Sequence, residues 1–358
     1  MNRRQFLRYS ASWGATLACG NIISSCAQAP IKPPMDQTLL KSLRIMDAHA
    51  HPDQFHNNRR FPVDETSTLH TIKAVKMGAS SFSAVGDSSR PYGISLSYYQ
   101  SAKVQLRWVQ GLAQSGKVKL VLKAADVPRG IEPNFPSGAI LAMEGGDPLE
   151  GNPDRVNEFY QLGARMITLV HYHNNELGDI MAKYKSREPC PPRNGLTQPG
   201  RKVVERMQEL GMVVDVAHAH PSTLKQVVEM TSRPLLDSHT SPCSSEDSSK
   251  CLRYRTWKDM ERVAKTGGVV CTWPIQRSAR KTFLDWAKEI LEMKKRLGMD
   301  HVGLGTDGGG GITCIDGYRD VRDLVHLVAA MQEVGLSYQD IQSYLGENFF
   351  RILQQCIG

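Results

Sequence analysis

The chain has 358 residues, 41% of them hydrophobic and 22% charged, which is enough to bury the core of one large α/β domain or of two ordinary ones. Its 44 basic against 36 acidic side chains leave a net charge of +8. The basic residues are spread along the chain and not interleaved with aromatics, so no nucleic-acid partner is expected.

Residues 2–8 read NRRQFLR and lead into a 13-residue apolar stretch, ASWGATLACGNII. The pattern resembles a twin-arginine export signal. It falls short of the roughly 20 apolar residues that span a bilayer, so a removable signal is expected and not an anchor helix. Ile23-Ser24-Ser25-Cys26 resembles a bacterial lipobox, in which the cysteine is lipidated and begins the mature protein. The expected organisation is therefore a signal over residues 1–26 ending at Cys26, a Pro-rich tether over 27–42, and one domain over 43–358. Such a protein is exported, into the periplasm or as a membrane-anchored lipoprotein of a bacterium, and meets a membrane only through its lipid. In that oxidising setting the later cysteines, none in CxxC spacing, are buried or paired thiols. Cys243 and Cys251 are close enough in one loop to be bridged.

From Leu43 onward strand-like and helix-like segments alternate. Apolar runs bounded by Gly, Pro or Asp predict strands near 43–48, 80–85, 138–143, 164–170, 212–217, 234–238, 267–272 and 301–306. Amphipathic patterns between them, such as RKVVERMQELG, STLKQVVEMTS, TWKDMERVAKTGG and FLDWAKEILEMKKRLG, predict helices, several closed by glycine. Eight such alternations predict a closed (β/α)8 barrel. A further run at 118–123 is an insertion or short outer strand; inside the sheet it would favour a doubly wound fold instead.

Six of the runs end on residues that bind metals or move protons: His49 and His51, Glu144, His171, His218, His239 and Asp307. In a parallel barrel these strand ends converge on one face, so the six runs can build a single site. His49 and His51 are two apart on an extended chain and so point the same way, able to grip one cation. Glu144 ends a hydrophobic run, where an unpaired charge is costly, and a carboxylate can bridge two metals. His218 and His239 can supply imidazoles to a second cation. Asp307, beside a glycine-rich turn, is suited to orient or deprotonate a metal-bound water. His173 and His220 also follow strands by two residues, and a loop histidine is the simpler reading of each.

The longer motifs resemble the membrane dipeptidases (renal dipeptidases, peptidase family M19), zinc peptidases of the amidohydrolase-like barrel group. The resemblance runs from about Leu43 to Leu353 and rests on MEGG at Glu144, MITLVHYHNNELGD, GLTQPGRKVVERMQELGMVVDVAHA, LLDSHTS, DHVGLGTD and LGENFFRIL. It implies two zinc ions per chain, one on His49 and His51, one on His218 and His239, with Glu144 bridging. It makes His171 the polariser of the scissile carbonyl and Asp307 the handler of a metal-bridging hydroxide. Arg253, or its rival Arg255, would hold the substrate's C-terminal carboxylate. The implied reaction is hydrolysis of dipeptides, including those with a C-terminal D-residue, and the implied assembly, on the resemblance alone, is a homodimer.

Two departures stand out. Where the family has His-x-Asp this chain has His49-Ala50-His51, and its DFDG is here Asp307-Gly308-Gly309-Gly310, without the aromatic. A change of substrate or metal preference is expected from them. The alternatives are another amidohydrolase-type enzyme acting on lactones, esters or phosphodiesters, or an exported binding protein that has lost turnover.

Overall fold

Eight parallel strands form where the apolar runs lie, in a computed structural model that describes residues 43–51, 68–89, 95–128, 136–182, 194–247 and 250–358. They are β1 (Met46–Asp47), β2 (Ala79–Val85), β4 (Gly138–Glu144), β5 (Ala164–Thr168), β6 (Val213–Asp215), β7 (Leu236–Thr240), β8 (Val269–Thr272) and β9 (Val302–Leu304). Each pairs in parallel with the next in that order. The first and last are joined by backbone hydrogen bonds from Ala48 to Leu304 (3.0 Å), Asp307 to His49 (2.9 Å) and His51 to Gly308 (2.7 Å), so the sheet curls into a near-closed barrel. β3 (Lys119–Leu120) pairs only with Gly138 and Ala139 of β4, off this path. The run at 118–123 is thus an outer strand and the doubly wound alternative falls. The signal, the lipobox Cys26 and the tether expected from the sequence lie outside the described residues.

Helices α1 (Thr68–Ala74), α2 (Tyr98–Gln114), α3 (Asp154–Gln161), α4 (Gln198–Glu209), α5 (Pro221–Met230), α6 (Trp257–Lys265), α7 (Phe283–Leu297) and α8 (Leu324–Glu333) flank the barrel, followed by α9 (Tyr338–Gln342) and α10 (Asn348–Ile357). Their starts follow ordinary capping chemistry. Thr256 accepts from the Asp259 amide at α6, and Thr282 and Asp285 cap each other's backbone at α7. No described helix is long and apolar enough to cross a membrane.

Helices cover the strands outside and the lumen fills them inside, so every residue of β2, β4 and β5 is buried. The lumen's lower part is apolar. Met46, Ala79, Ile140, Met166, Val213, Leu236 and Val269, from the N-terminal halves of their strands, share one cluster with Phe349, Ile352 and Leu353 of α10. That helix packs against β1, β6, β8 and β9 and so plugs the N-terminal mouth. The opposite mouth is left for the polar strand ends.

Candidate metal centre

Glu144, only 2% exposed at the end of β4, stands among five imidazoles. Its Oε1 lies 3.1 Å from His218 Nε2, 3.3 Å from His239 Nε2 and 3.4 Å from His49 Nε2; its Oε2 lies 3.1 Å from His51 Nε2 and 3.3 Å from His171 Nε2. His49 and His51 do point together, with their Nε2 atoms 3.1 Å apart. Asp307 Oδ1 is 3.5 Å from His51 Nε2. All seven strand-end residues singled out in the sequence therefore meet in one place. Three compact sets of donors result: His49, His51 and Asp307; His49, Glu144 and His239; and Glu144, His171 and His218. These cut across the partition implied by the resemblance, since His218 and His239 fall in different sets.

Burial alone would raise the Glu144 carboxyl, but the surrounding histidines, His171 and His49 foremost, hold it well below the usual range. Burial lowers His218, His239 and His49, keeping them neutral and able to donate a lone pair. Burial opposes the charging of His51 too, but its hydrogen bond and attraction to Glu144 raise it on balance. Asp307 is raised by burial.

Polar groups behind these histidines bear on which nitrogen faces inward. The Ser83 carbonyl lies 2.8 Å from His51 Nδ1 and can accept only a hydrogen, so in the neutral ring Nε2 keeps its lone pair. Ser238 Oγ donates to Asp215 Oδ2 (2.7 Å) and lies 2.9 Å from His239 Nδ1 and 3.4 Å from His49 Nδ1. Asp215 is itself fixed by Thr168 Oγ1 (2.5 Å) and by the amides of Ala217 and Ser238 (3.0 Å each). His171 Nδ1 is 3.0 Å from Asp87 Oδ1.

The backbone is unusual here. His218 and Asp307 have φ of 64° and 52°, and Leu252, next to Arg253, has 54°. Non-glycine residues rarely hold such angles, and they concentrate at sites where surrounding structure imposes them. Gly310 leaves room for the Asp307 side chain as it stands, because a Cβ there would sit 1.9 Å from the carboxylate Oδ1 and turn it away.

A cavity of about 650 Å³ opens onto Glu144, His171, His239 and Asp307. Arg253 lines it, with Nη2 3.0 Å from His218 Nε2 and Nη1 donating to the His171 carbonyl (3.3 Å). Arg255 does not: it is buried, bonded through Nε to Asp237 Oδ2 (2.7 Å) and through its other nitrogens to the Val216 and Ala219 carbonyls. It is a structural arginine. Cys243 and Cys251 form a disulfide just ahead of Arg253. His220 caps α5 by accepting from the Ser222 amide, and His173, 46% exposed, pairs with Asp147 Oδ1 at 2.9 Å. Both are the loop histidines expected.

Sequence reasoning missed Asp87, Asp215 and Ser238. Asp215 and Ser238 carried a signal, being polar residues inside strands that are otherwise wholly apolar. Asp87 ends the run SAVGD after β2, a strand to which no site residue was assigned.

The donor set fits a metal. Five imidazole nitrogens crowd the buried Glu144 carboxylate at 3.1–3.4 Å, three of them on rings that burial disfavours charging. A cation between such groups would satisfy lone pairs that otherwise confront each other. An imidazole-rich set with two carboxylates suits zinc or a similar borderline ion better than magnesium or calcium.

Against known families, residues 36–357 match the profile of the membrane dipeptidases (peptidase family M19). The chain belongs to that family. Relatives include dipeptidase tcpJ of Claviceps purpurea (strain 20.1), 27% identical over 249 residues, 67% of this chain and 56% of the relative. Dipeptidase verJ of Clonostachys rogersoniana is 28% identical over 225 residues, 61% of this chain and 56% of the relative. The match thus spans about half the length of these curated proteins. Among solved structures, the probable dipeptidase PvdM from Pseudomonas aeruginosa superposes with a TM-score of 0.76 at 18% identity, covering 89% of this chain and 97% of that one. A metallopeptidase from Rhodobacter sphaeroides, bound to a phosphinate mimic of L-Ala-D-Ala, gives 0.73 at 20% identity over 88% and 99%. At these identities the structures speak for a shared fold. That fold is a near-closed parallel (β/α)8 barrel, and this membrane dipeptidase family member gathers three groups of candidate metal donors at the C-terminal ends of its strands.

Proposed function

We propose that the chain is a zinc dipeptidase, hydrolysing the peptide bond of dipeptides with two zinc ions and accepting a D-residue at the C-terminal position. One observation carries this reading: five imidazole Nε2 atoms lie within 3.4 Å of the Glu144 carboxylate, at the floor of a cavity that also holds Asp307 and Arg253. His49, His51, Glu144, His218 and His239 would hold the ions, with Glu144 shared. When bound, the ions supply a Lewis acid for the carbonyl and acidify an attacking water toward neutrality.

The chain's own residues do the rest. Arg253 binds the substrate's free carboxylate through charge-assisted hydrogen bonds, which limits substrates to those ending just past the scissile bond. His171 points Nε2 into the cavity, where it polarises the carbonyl oxygen. Asp307, its carboxyl raised by burial, takes the proton of the attacking water and passes it to the leaving amine. The phosphinate dipeptide mimic bound by the Rhodobacter sphaeroides relative supports an L,D-dipeptide as substrate. The family match over 36–357 supports a single catalytic domain over 43–358. The leader over 1–26 supports export with Cys26 lipidated, and a Cys26→Ser chain that loses a lipid-sized mass increment would establish it.

The deciding experiment measures metal content beside hydrolysis of a dipeptide library that includes C-terminal D-residues. About two zinc ions per chain and turnover abolished by Glu144→Gln are expected. Well under one ion per chain, or full activity in that variant, overturns the reading. The compact set of His49, His51 and Asp307 favours a second reading, a hydrolase of lactones, esters or phosphodiesters, so these belong in the same screen.

A further inference from the structure

The Glu144 set does not account for a buried carboxylate at the end of β2. Asp87 has a side chain only 1% exposed, and its two oxygens accept from different donors. Oδ1 is 3.0 Å from His171 Nδ1, and Oδ2 accepts the Tyr172 amide at 2.9 Å. On the outer side His173 Nδ1 stands 3.8 Å from Oδ2, its ring held at Nε2 by Asp147.

The approach of β2 to β4 that makes this possible is built into the backbone. The Gly86 amide donates to the Glu144 carbonyl (2.7 Å), and a Cβ on Gly86 would lie 2.0 Å from the Gly145 carbonyl oxygen. Gly145 in turn has φ of 94°, and a Cβ on it would lie 3.3 Å from His171 Cβ and 3.0 Å from Asp147 Oδ2. Two glycines thus let three strand ends close around one point, and Asp87 is the group they deliver.

We propose that Asp87 is the positioning residue for His171: it holds the Nδ1 hydrogen and the ring plane so that Nε2 faces the reacting carbonyl. The proposal rests on the reading of His171 as carbonyl polariser. A buried carboxylate contacting two donors at once is what the role requires. An aspartate accepts on both oxygens, whereas an asparagine accepts on only one. Because the Tyr172 amide can only donate, an asparagine at 87 would turn its oxygen there and present its NH₂ to Nδ1. That drives the imidazole into the opposite tautomer with no change of volume.

The test is Asp87→Asn in the metal-loaded full chain, with the L-Ala-D-Ala dipeptide as probe. Loss of a group that orients a site residue costs about 10–100-fold. The expected result is a fall of that size in kcat, with KM within about twofold, metal content and Tm retained, and no additional loss when Asp87→Asn is combined with His171→Asn. Unchanged kcat overturns the proposal. So does a fall that comes only with lost metal or lost folding, or one that adds in full to His171→Asn. Nitrogen-15 NMR of labelled histidine reads the same question without turnover: His171 carries its hydrogen on Nδ1 in the parent and on Nε2 in Asp87→Asn. If the parent cleaves no dipeptide, the functional reading fails while this signature still decides the role of Asp87.

Discussion

The two ends of the barrel lumen are built by the same strands and do opposite work. Along β5, β6 and β7 the N-terminal inward residues are Met166, Val213 and Leu236, packed on Phe349, Ile352 and Leu353 of α10. Two residues further on, the same faces carry Thr168, Asp215 and Ser238, joined by hydrogen bonds through Asp215. Above these lie the histidines. The lumen is therefore layered as barrels of this type are, with an apolar floor, a polar middle layer and a ligand layer on top. The floor gains free energy by burial, while the upper layers bury charges, confront lone pairs and hold His218 and Asp307 at left-handed φ. Stability and chemistry are separated along the barrel axis.

The sharpest way to break that separation is from below. Phe349→Ala opens the floor and costs about 3–5 kcal/mol of stability, read by denaturant unfolding. Its folded fraction should keep KM and metal content, and a selective loss of metal would show that the ends are coupled. A second contrast uses two neighbouring arginines. Arg255→Ala leaves Asp237 buried without its partner and costs about 3–5 kcal/mol of stability. Arg253→Ala instead removes the proposed carboxylate anchor: a loss of at least about 2 kcal/mol in binding raises KM about 30-fold or more, with Tm little changed. If Arg255→Ala were the one to raise KM, the assignment would be reversed. Third, replacing Cys243 and Cys251 by serine releases a short loop and costs about 2–3 kcal/mol. Because Leu252 and Arg253 follow at once, KM should rise in the same variant.

The layer of strand-end residues was the most legible part of the sequence, because each apolar run stops at a residue that has no reason to be buried unless something binds it. His49, His51, Glu144, His171, His218, His239 and Asp307 all announce themselves this way, and so do the eight strands that carry them. The middle layer was hidden by the same logic. Asp215 and Ser238 sit inside runs that read as continuous core, and only the barrel's closure shows that they face one another. Period-two alternation would also have sent Ser238 and His239 to opposite faces. The register of β7 against β8 shifts between Asp237 and Thr240, and this irregularity lets both side chains reach the centre. Asp87 follows its run across Gly86, whose purpose appears only when Gly145 is placed against it. The resemblance already preferred Arg253 to Arg255, two residues apart in one loop, whereas the contacts that keep Arg255 away from the cavity, with Asp237, Val216 and Ala219, are encoded in no local pattern.

The smallest effect probes the boundary between the layers. Ser238 is the point where the polar middle layer touches the ligands, donating to Asp215 while its oxygen meets His239 Nδ1 and lies within 3.4 Å of His49 Nδ1. These two rings stack with centroids 4.0 Å apart, and Ser83 Oγ also lies 3.4 Å from His49 Nδ1, so the Ser238 hydroxyl bears chiefly on His239 and through the stack on His49. Ser238→Ala removes little volume and leaves the apolar floor untouched. It should weaken zinc binding about 10–100-fold, the usual cost of losing a hydrogen bond behind a metal-binding histidine, with little change in the metal-free unfolding midpoint. Titration with a competing chelator measures the first and denaturant unfolding of the chelated protein the second. An unchanged zinc affinity would mean that the ring stack alone holds the ligands. A lowered midpoint without a change in affinity would move Ser238 from the chemical end of the barrel to the structural one.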